Sequence, residues 1–181
     1  MGKLTKYIEA KRENKIKSYI HGIVLDIGCG PAHAINHPNV KKYYGVELLD
    51  DVADNLKRKF KRHSFLVKNL ETDEISLKEK VDVVIMTAFL EHLNNYENPI
   101  KQAVRNLKGD GIIVITTPSK FGNIIHYIGA SLGLFSKEAR DDHKSILSKR
   151  DFQHLANKYN LKLKTFNYFE FFCNQLVVFG R

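Results

Sequence analysis

The sequence has no tryptophan and only two cysteines in 181 residues. Cys29 and Cys173 cannot build a disulfide framework or a four-ligand zinc site, so we interpret both as inert structural residues. No run of about 18 apolar residues occurs, and no membrane-spanning helix is expected. The N-terminal stretch is too charged to be a secretory signal. These absences predict a cytoplasmic protein.

Acidic residues are also fewer than basic ones: the sequence has 20 acidic and 29 basic residues, which gives a net charge of +9. That balance favours anionic partners such as phosphates, nucleic acid or a membrane surface. The densest basic cluster, residues 57–62, falls on a predicted helix and is interpreted as its solvated face. The length, and the lack of repeats or linkers, predict a single domain over residues 1–181.

Strands and helices alternate along most of the chain. Apolar runs predict five strands, at residues 23–27, 43–47, 65–67, 81–86 and 112–116. Helical patterns are found over 3–20, 50–62, 100–107 and 148–159. The last two β segments, 161–169 and 174–180, are too close for a crossover helix and must pair antiparallel. The predicted fold class is α/β: a doubly wound, mostly parallel seven-stranded sheet with helices on both faces and a C-terminal antiparallel hairpin.

The most informative segment is residues 24–32, where a buried strand ends in Gly28-Cys29-Gly30. Such a pair of glycines allows a sharp turn and close approach of a ligand, at the sheet edge where doubly wound folds bind ligands. Glu47 ends the second strand, and a carboxylate there can accept both ribose hydroxyls of an adenosine cofactor. His33 stands where the dinucleotide fingerprint has its third glycine, which counts against a pyrophosphate ligand.

These residues resemble the first motif of the class I, Rossmann-like S-adenosylmethionine-dependent methyltransferases. Segments 44–48, 81–93 (ending in Leu-Glu-His-Leu) and 107–118 resemble the later motifs of that family. The resemblance is strong over about residues 20–118 and weaker afterwards. It implies that the chain binds S-adenosyl-L-methionine and releases S-adenosyl-L-homocysteine. The methyl group would pass to an oxygen or nitrogen of a small-molecule or lipid-like acceptor.

The resemblance also implies roles for individual residues. Gly28 and Gly30 let the methionyl part of the cofactor lie against the backbone, and Asp26 orients that loop and reaches the cofactor's amino group. Glu47 holds the ribose diol, and Leu48 packs on one adenine face. The other cofactor positions are Asn69 and Leu70 at the adenine edge, and Thr87 with Ala88 on the reaction side.

Methyl transfer needs mainly positioning, with a general base only where the acceptor must lose a proton. His92 and His143 are the candidate catalytic residues, and their alternative role is that of polar loop residues. Metal binding by Asp141, Asp142 and His143 is disfavoured because three adjacent residues cannot easily converge on one ion. No metal is therefore expected. Residues 119–147 predict an acceptor-side lid, or else an ordinary helix covering the sheet.

Three rival functions stay open. A nicotinamide-dependent oxidoreductase would use a similar glycine turn, and a non-catalytic binding module could keep the same pocket. An RNA methyltransferase is supported only by the net charge. The segment 87–90, Thr-Ala-Phe-Leu, lacks the Asn/Asp-Pro-Pro-aromatic turn and the nearby cysteine of nucleobase methyltransferases. Nucleic acid is accordingly a disfavoured partner.

Overall fold

The computed structural model of the chain describes residues 3–131 and 143–181. Its α-helices are α1 (Lys3–Ile16), α2 (Asp50–Lys59), α3 (Glu97–Asn106), α4 (Lys120–Ser131) and α5 (Lys149–Lys158). The strands are β1 (Gly22–Ile27), β2 (Val40–Glu47), β3 (Ser64–Val67), β4 (Val81–Thr87), β5 (Leu107–Pro118), β6 (Lys162–Phe169) and β7 (Asn174–Gly180). Short 3-10 helices cover Lys17–Tyr19, His33–Asn36 and Leu90–His92.

The seven strands form one sheet in the order β3-β2-β1-β4-β5-β7-β6. The first five strands in this order, β3 to β5, run parallel to one another, and β7 runs antiparallel to both of its neighbours, β5 and β6. The second strand of the C-terminal hairpin therefore lies inside the sheet, and the first strand forms its edge. This arrangement follows the sequence, because β7 is buried along its whole length whereas β6 carries the polar residues Lys162 and Lys164.

Neighbouring residues of each strand pack on opposite faces of the sheet, as pleated strands require. The cluster on one face joins the sheet to α3 and α5, and includes Leu25, Val84, Ile113, Ile100 and Phe152. The cluster on the other face joins the sheet to α1 and α2, and includes Val24, Val83, Val114, Ile16 and Leu56. Helices thus cover both faces, and the predicted fold class is confirmed.

The order of the strands places a switch point between β1 and β4. From β1 the chain proceeds outward to β2 and β3, then returns to the other side of β1 as β4. Helices connected to the two strands leave in opposite directions, so a crevice opens at their carboxyl ends. Within the described part of the chain, no helix has the length and apolar character needed to cross a membrane.

Candidate functional site

A cavity of about 620 Å³ opens at the carboxyl ends of β1 and β4. Its volume lies within the range of roughly 300–1,000 Å³ that is usual for small-molecule sites. One wall comes from the ends of these strands and another from α1 and the 3-10 helix 33–36. The lining residues include Glu9, Arg12, Glu13, Ile16, Asp26, Gly28, Cys29, His33, Thr87 and Ala88.

The two glycines of the turn after β1 serve different purposes. Gly28 has φ +71°, and a Cβ there would lie 2.1 Å from the ring of Phe89. Gly30 has φ +45°, but a Cβ there would meet nothing within 4 Å. Both residues adopt the left-handed conformation that favours glycine. Gly28 is therefore required by packing inside the protein, whereas the space beside Gly30 is open to a ligand.

The segment after the glycine turn does not form an α-helix. Ala32 has φ 56°, and the four residues that follow, His33–Asn36, form a 3-10 helix. Pyrophosphate sites of dinucleotide-binding folds use the N-terminus of an α-helix at this position. The 3-10 helix at this position is a second observation, after His33, that counts against a pyrophosphate ligand.

Glu47 connects the glycine turn to the turn after β2. Its Oε2 accepts a hydrogen bond from the Gly30 backbone N–H at 2.9 Å, and its Oε1 accepts from Leu48 N–H at 2.8 Å and from Leu49 N–H at 3.3 Å. A carboxylate offers about four acceptor positions, so this one retains capacity for a ligand. Leu48 next to it is 59% exposed, so its side chain is accessible to a ligand.

Asp26 is the buried acid of the cavity, with 6% of its surface exposed. The Tyr43 hydroxyl donates a hydrogen bond of 2.5 Å to its Oδ2. Burial is the main reason why the pKa of Asp26 is raised to about 7, and the charge of Glu47 raises the pKa further. The hydrogen bond from Tyr43 lowers the pKa and partly opposes these two effects. Burial also holds the pKa of Tyr43 well above its usual range, so Tyr43 remains a donor. A cationic ligand group would favour the ionised form of Asp26.

Asn69 and Leu70 lie away from this cavity lining. The Asn69 Oδ1 accepts from Glu71 N–H at 3.0 Å, and Asn69 N–H donates to Asp73 at 2.9 Å, which closes the turn after β3. Leu70 is buried in the core cluster shared with α3. Its side chain is therefore unavailable to a ligand, and only its backbone could serve the predicted adenine contact.

The sequence analysis did not single out Arg12. In the structure its guanidinium lines the cavity and donates to Asn174 Oδ1 of β7, at 3.3 Å from Nε and 3.0 Å from Nη2. Ile16, one helical turn later, is buried in the core. Residues four apart share a helix face, so the spacing from the apolar Ile16 was the sequence signal that Arg12 faces the protein and not solvent.

A second polar cluster lies where β4 and β5 end. Glu91, on the 3-10 helix after β4, is 1% exposed, and its Oε2 accepts from Thr117 Oγ1 at 3.1 Å. Burial raises the pKa of Glu91, against the opposing charges of Arg12 and His92. The rings of His92 and His143 lie 5.5 Å apart, and His143 Nδ1 is 2.8 Å from Asn123 Oδ1. The structure thus brings together both predicted catalytic histidines around a glutamate that the sequence analysis did not select.

The predicted lid segment begins with α4. Phe121, Ile124 and Ile125 of this helix are 52%, 57% and 40% exposed, so its apolar side is not fully covered by the described residues. Asp141 and Asp142, weighed above as metal ligands, lie outside the described residues, as does the remainder of the lid over 132–142.

Known proteins resemble this chain in sequence and in fold. A family model described as a methyltransferase domain matches residues 3–165. The ubiquinone biosynthesis O-methyltransferase of Rickettsia typhi is 26% identical over 166 residues, covering 83% of this chain and 65% of that protein. The chain therefore spans less than two thirds of the length of this curated relative.

Two solved structures illustrate the likeness of the fold. Magnesium protoporphyrin IX methyltransferase from Synechocystis, solved with bound S-adenosylhomocysteine, has a TM-score of 0.72 at 15% identity, covering 100% of this chain and 88% of that one. The N-methyltransferase NodS from Bradyrhizobium japonicum has a TM-score of 0.65 at 14% identity, covering 97% of each chain.

Proposed function

The chain belongs to the class I S-adenosylmethionine-dependent methyltransferases, and from that premise we propose that it methylates an oxygen of a small, largely apolar acceptor. The observation that carries the proposal is the pairing of two sites at one sheet edge. A cavity lined by Asp26 and Gly28 lies at the ends of β1 and β4, and Glu47 is hydrogen-bonded to the same glycine turn. A Glu-His-His cluster lies at the ends of β4 and β5.

The residues around the cavity fit S-adenosylmethionine. Glu47 holds the ribose diol with its remaining acceptor positions, and the exposed Leu48 covers adenine. The buried carboxylate of Asp26 receives the ammonium of the methionyl part, and Arg12 pairs with its carboxylate. The bound cofactor supplies a methyl carbon that is already electrophilic because it is attached to a sulfonium. The protein therefore has to position the acceptor and manage its proton.

The second cluster supports an acceptor that loses a proton during the reaction. A hydroxyl oxygen becomes a strong nucleophile only when its proton leaves. We propose that His92 and His143 promote that loss, since they lie together beyond Thr87 and Ala88, the two cavity residues at the end of β4. Oxygen as the methylated atom is also supported by the name of the Rickettsia relative, an O-methyltransferase.

The exposed start of α4 supports an apolar acceptor. Phe121 and Ile124 are more than half exposed, and His143 contacts Asn123 between them. An acceptor that extended from His143 around α4 to these side chains would bury their apolar surface, which is favourable at roughly 25 cal/mol per Å². Residues 119–147 would then serve as the lid predicted from the sequence.

The proposal is tested with the purified chain, tritium-labelled S-adenosylmethionine and matched pairs of acceptors. Each pair consists of an alkyl-substituted phenol and the aniline of the same skeleton. Product from the phenols and none from the anilines is expected, and its mass should increase by one methyl group. Transfer only to the anilines would overturn oxygen as the methylated atom. Binding of NADH without binding of S-adenosylhomocysteine would overturn the methyltransferase assignment itself.

A further inference from the structure

We propose that Glu91, His92 and His143 bind a divalent metal ion. Each of the three side chains offers one ligand atom, and these atoms all lie within 4.8 Å of one another. Two imidazoles and one carboxylate are the ligands of many catalytic zinc sites and of open iron sites. Such sites keep further coordination positions for water or substrate.

The state of Glu91 independently points to a bound cation. This side chain is 1% exposed, and one of its oxygens, Oε2, is occupied by Thr117. Among the described residues, the other oxygen, Oε1, has no hydrogen-bond partner. Burying a carboxylate oxygen without a partner is costly, and buried charges are normally paired or bound to metals. The charge of the nearby Arg12 acts on Glu91, but two of the Arg12 donors are hydrogen-bonded to Asn174.

The surroundings of His143 orient its ring for metal binding. Its Nδ1 lies 2.8 Å from Asn123 Oδ1, and when that contact is an N–H donated to the amide oxygen, Nε2 is the unprotonated ring nitrogen. Metal-bound histidines usually donate their second ring N–H in this manner. Asn123 would therefore select the tautomer that can bind a metal.

Backbone hydrogen bonds hold the two ligand-bearing segments against each other. The Glu91 carbonyl accepts from Lys144 N–H at 2.7 Å and from Ser145 N–H at 3.1 Å. The Ser145 hydroxyl donates to Leu93 O at 2.8 Å. The residue after His143 is thereby fixed to the segment that carries Glu91 and His92, so the three ligands are arranged before any ion binds.

This inference rests on the proposed function in one respect, the use of the ion. An acceptor hydroxyl bound to a divalent ion has a lowered pKa and gives its proton to solvent, leaving an anionic oxygen. That oxygen then forms the new bond to the methyl carbon as the bond from carbon to sulfur breaks. His92 and His143 would promote proton loss as ligands of the ion, and the acceptor class would be one with a hydroxyl that can reach it.

The test is titration of the metal-free chain with Co²⁺, followed by visible absorption, and with Zn²⁺ followed by calorimetry. We expect one equivalent to bind, with the absorption bands of nitrogen and oxygen ligation. In Glu91→Gln and in His143→Gln the affinity should fall about 10-fold or more. His154→Gln, which changes an exposed histidine of α5, is the matched control and should bind like the wild type.

S-adenosylhomocysteine binding, measured on each variant, reports whether the cofactor site is still folded. No cobalt spectrum in the wild type, or equal affinity in the wild type and in a folded His143→Gln variant, would overturn the metal site. If S-adenosylhomocysteine binds normally in that case, the cofactor assignment stands. A cobalt spectrum without any S-adenosylhomocysteine binding would instead support the metal site and overturn the proposed function.

Discussion

Replacing Glu47 by alanine tests the cofactor site most directly. The side chain accepts hydrogen bonds from the turn after β1 and from the turn after β2, so its two oxygens are fixed in place before a ligand binds. The proposed cofactor adds two ribose hydroxyls as further donors. Glu47→Ala removes these acceptors and leaves the two turns without their common anchor.

The magnitude follows from the charge of the acceptor. A hydrogen bond to an ionised group contributes about 1.5–3 kcal/mol, so two such bonds at the lower value amount to about 3 kcal/mol. Since about 1.4 kcal/mol corresponds to a tenfold change in affinity, S-adenosylhomocysteine should bind about 100-fold more weakly to Glu47→Ala. Loss of the anchor between the turns adds to this effect, so the value is a lower bound.

Isothermal titration calorimetry with S-adenosylhomocysteine measures the change. Glu74→Ala is the matched control, because Glu74 is an exposed carboxylate that pairs with Arg105 of α3, 2.6 Å away, and does not line the cavity. This control should keep the wild-type affinity. Thermal unfolding of both variants verifies that they are folded. A folded Glu47→Ala variant that binds within about threefold of the wild type would refute the ribose assignment.

Three further outcomes are expected. Gly28→Ala should unfold at a clearly lower urea concentration, because its Cβ would collide with Phe89 and its φ is positive. Gly30→Ala, which strains only the left-handed backbone, should lose less stability than Gly28→Ala and should lose S-adenosylhomocysteine binding in calorimetry. Asp26 has its pKa raised to about 7, so below that pH the ammonium of the ligand must displace a proton. Affinity should therefore increase as the pH rises through about 7 and flatten above it, and Asp26→Asn should remove this dependence. Phe121→Ser should raise the KM for an apolar acceptor severalfold and leave S-adenosylhomocysteine affinity unchanged, since Phe121 is exposed on α4 and does not line the cavity. An unchanged KM across an alkyl series of acceptors would contradict that role.

The fold and the glycine turn could be predicted because their signals are local. The run from Val24 to Gly30 specifies a buried strand and the turn that ends it, and the two β segments after residue 160 are too close for a crossover. The ends of β5 were harder to predict. The strand was expected over 112–116 and spans Leu107–Pro118. Its first residue, Leu107, pairs with Val81 of β4, and the register then shifts before Ile112 pairs with Val83, so the turn-like residues 108–111 lie at an irregularity of the ladder.

Arg12 and Glu91 could not have been selected from local patterns. Arg12 reaches the cavity only because α1 packs on the sheet face that β7 shares, where Asn174 accepts its donors. Glu91 reads as a polar residue of a loop, and its burial depends on Thr117 and on a segment that returns near residue 144. Leu70 illustrates the opposite case, because the side chain of a residue predicted to contact the ligand is buried in the core, and the predicted contact depends on its backbone.

The proposed site has two halves, one for the cofactor and one for the acceptor, and they are built differently. The cofactor half consists of adjacent turns after β1 and β2, joined by one side chain, Glu47. The acceptor half gathers Glu91 and His143 from distant parts of the chain and holds them through the backbone of residues 144 and 145. Arg12 of α1 belongs to both halves, because it lines the cavity and its charge acts on Glu91. Changes around His143 should therefore alter which acceptor reacts while cofactor binding persists, whereas changes to Arg12 should affect both.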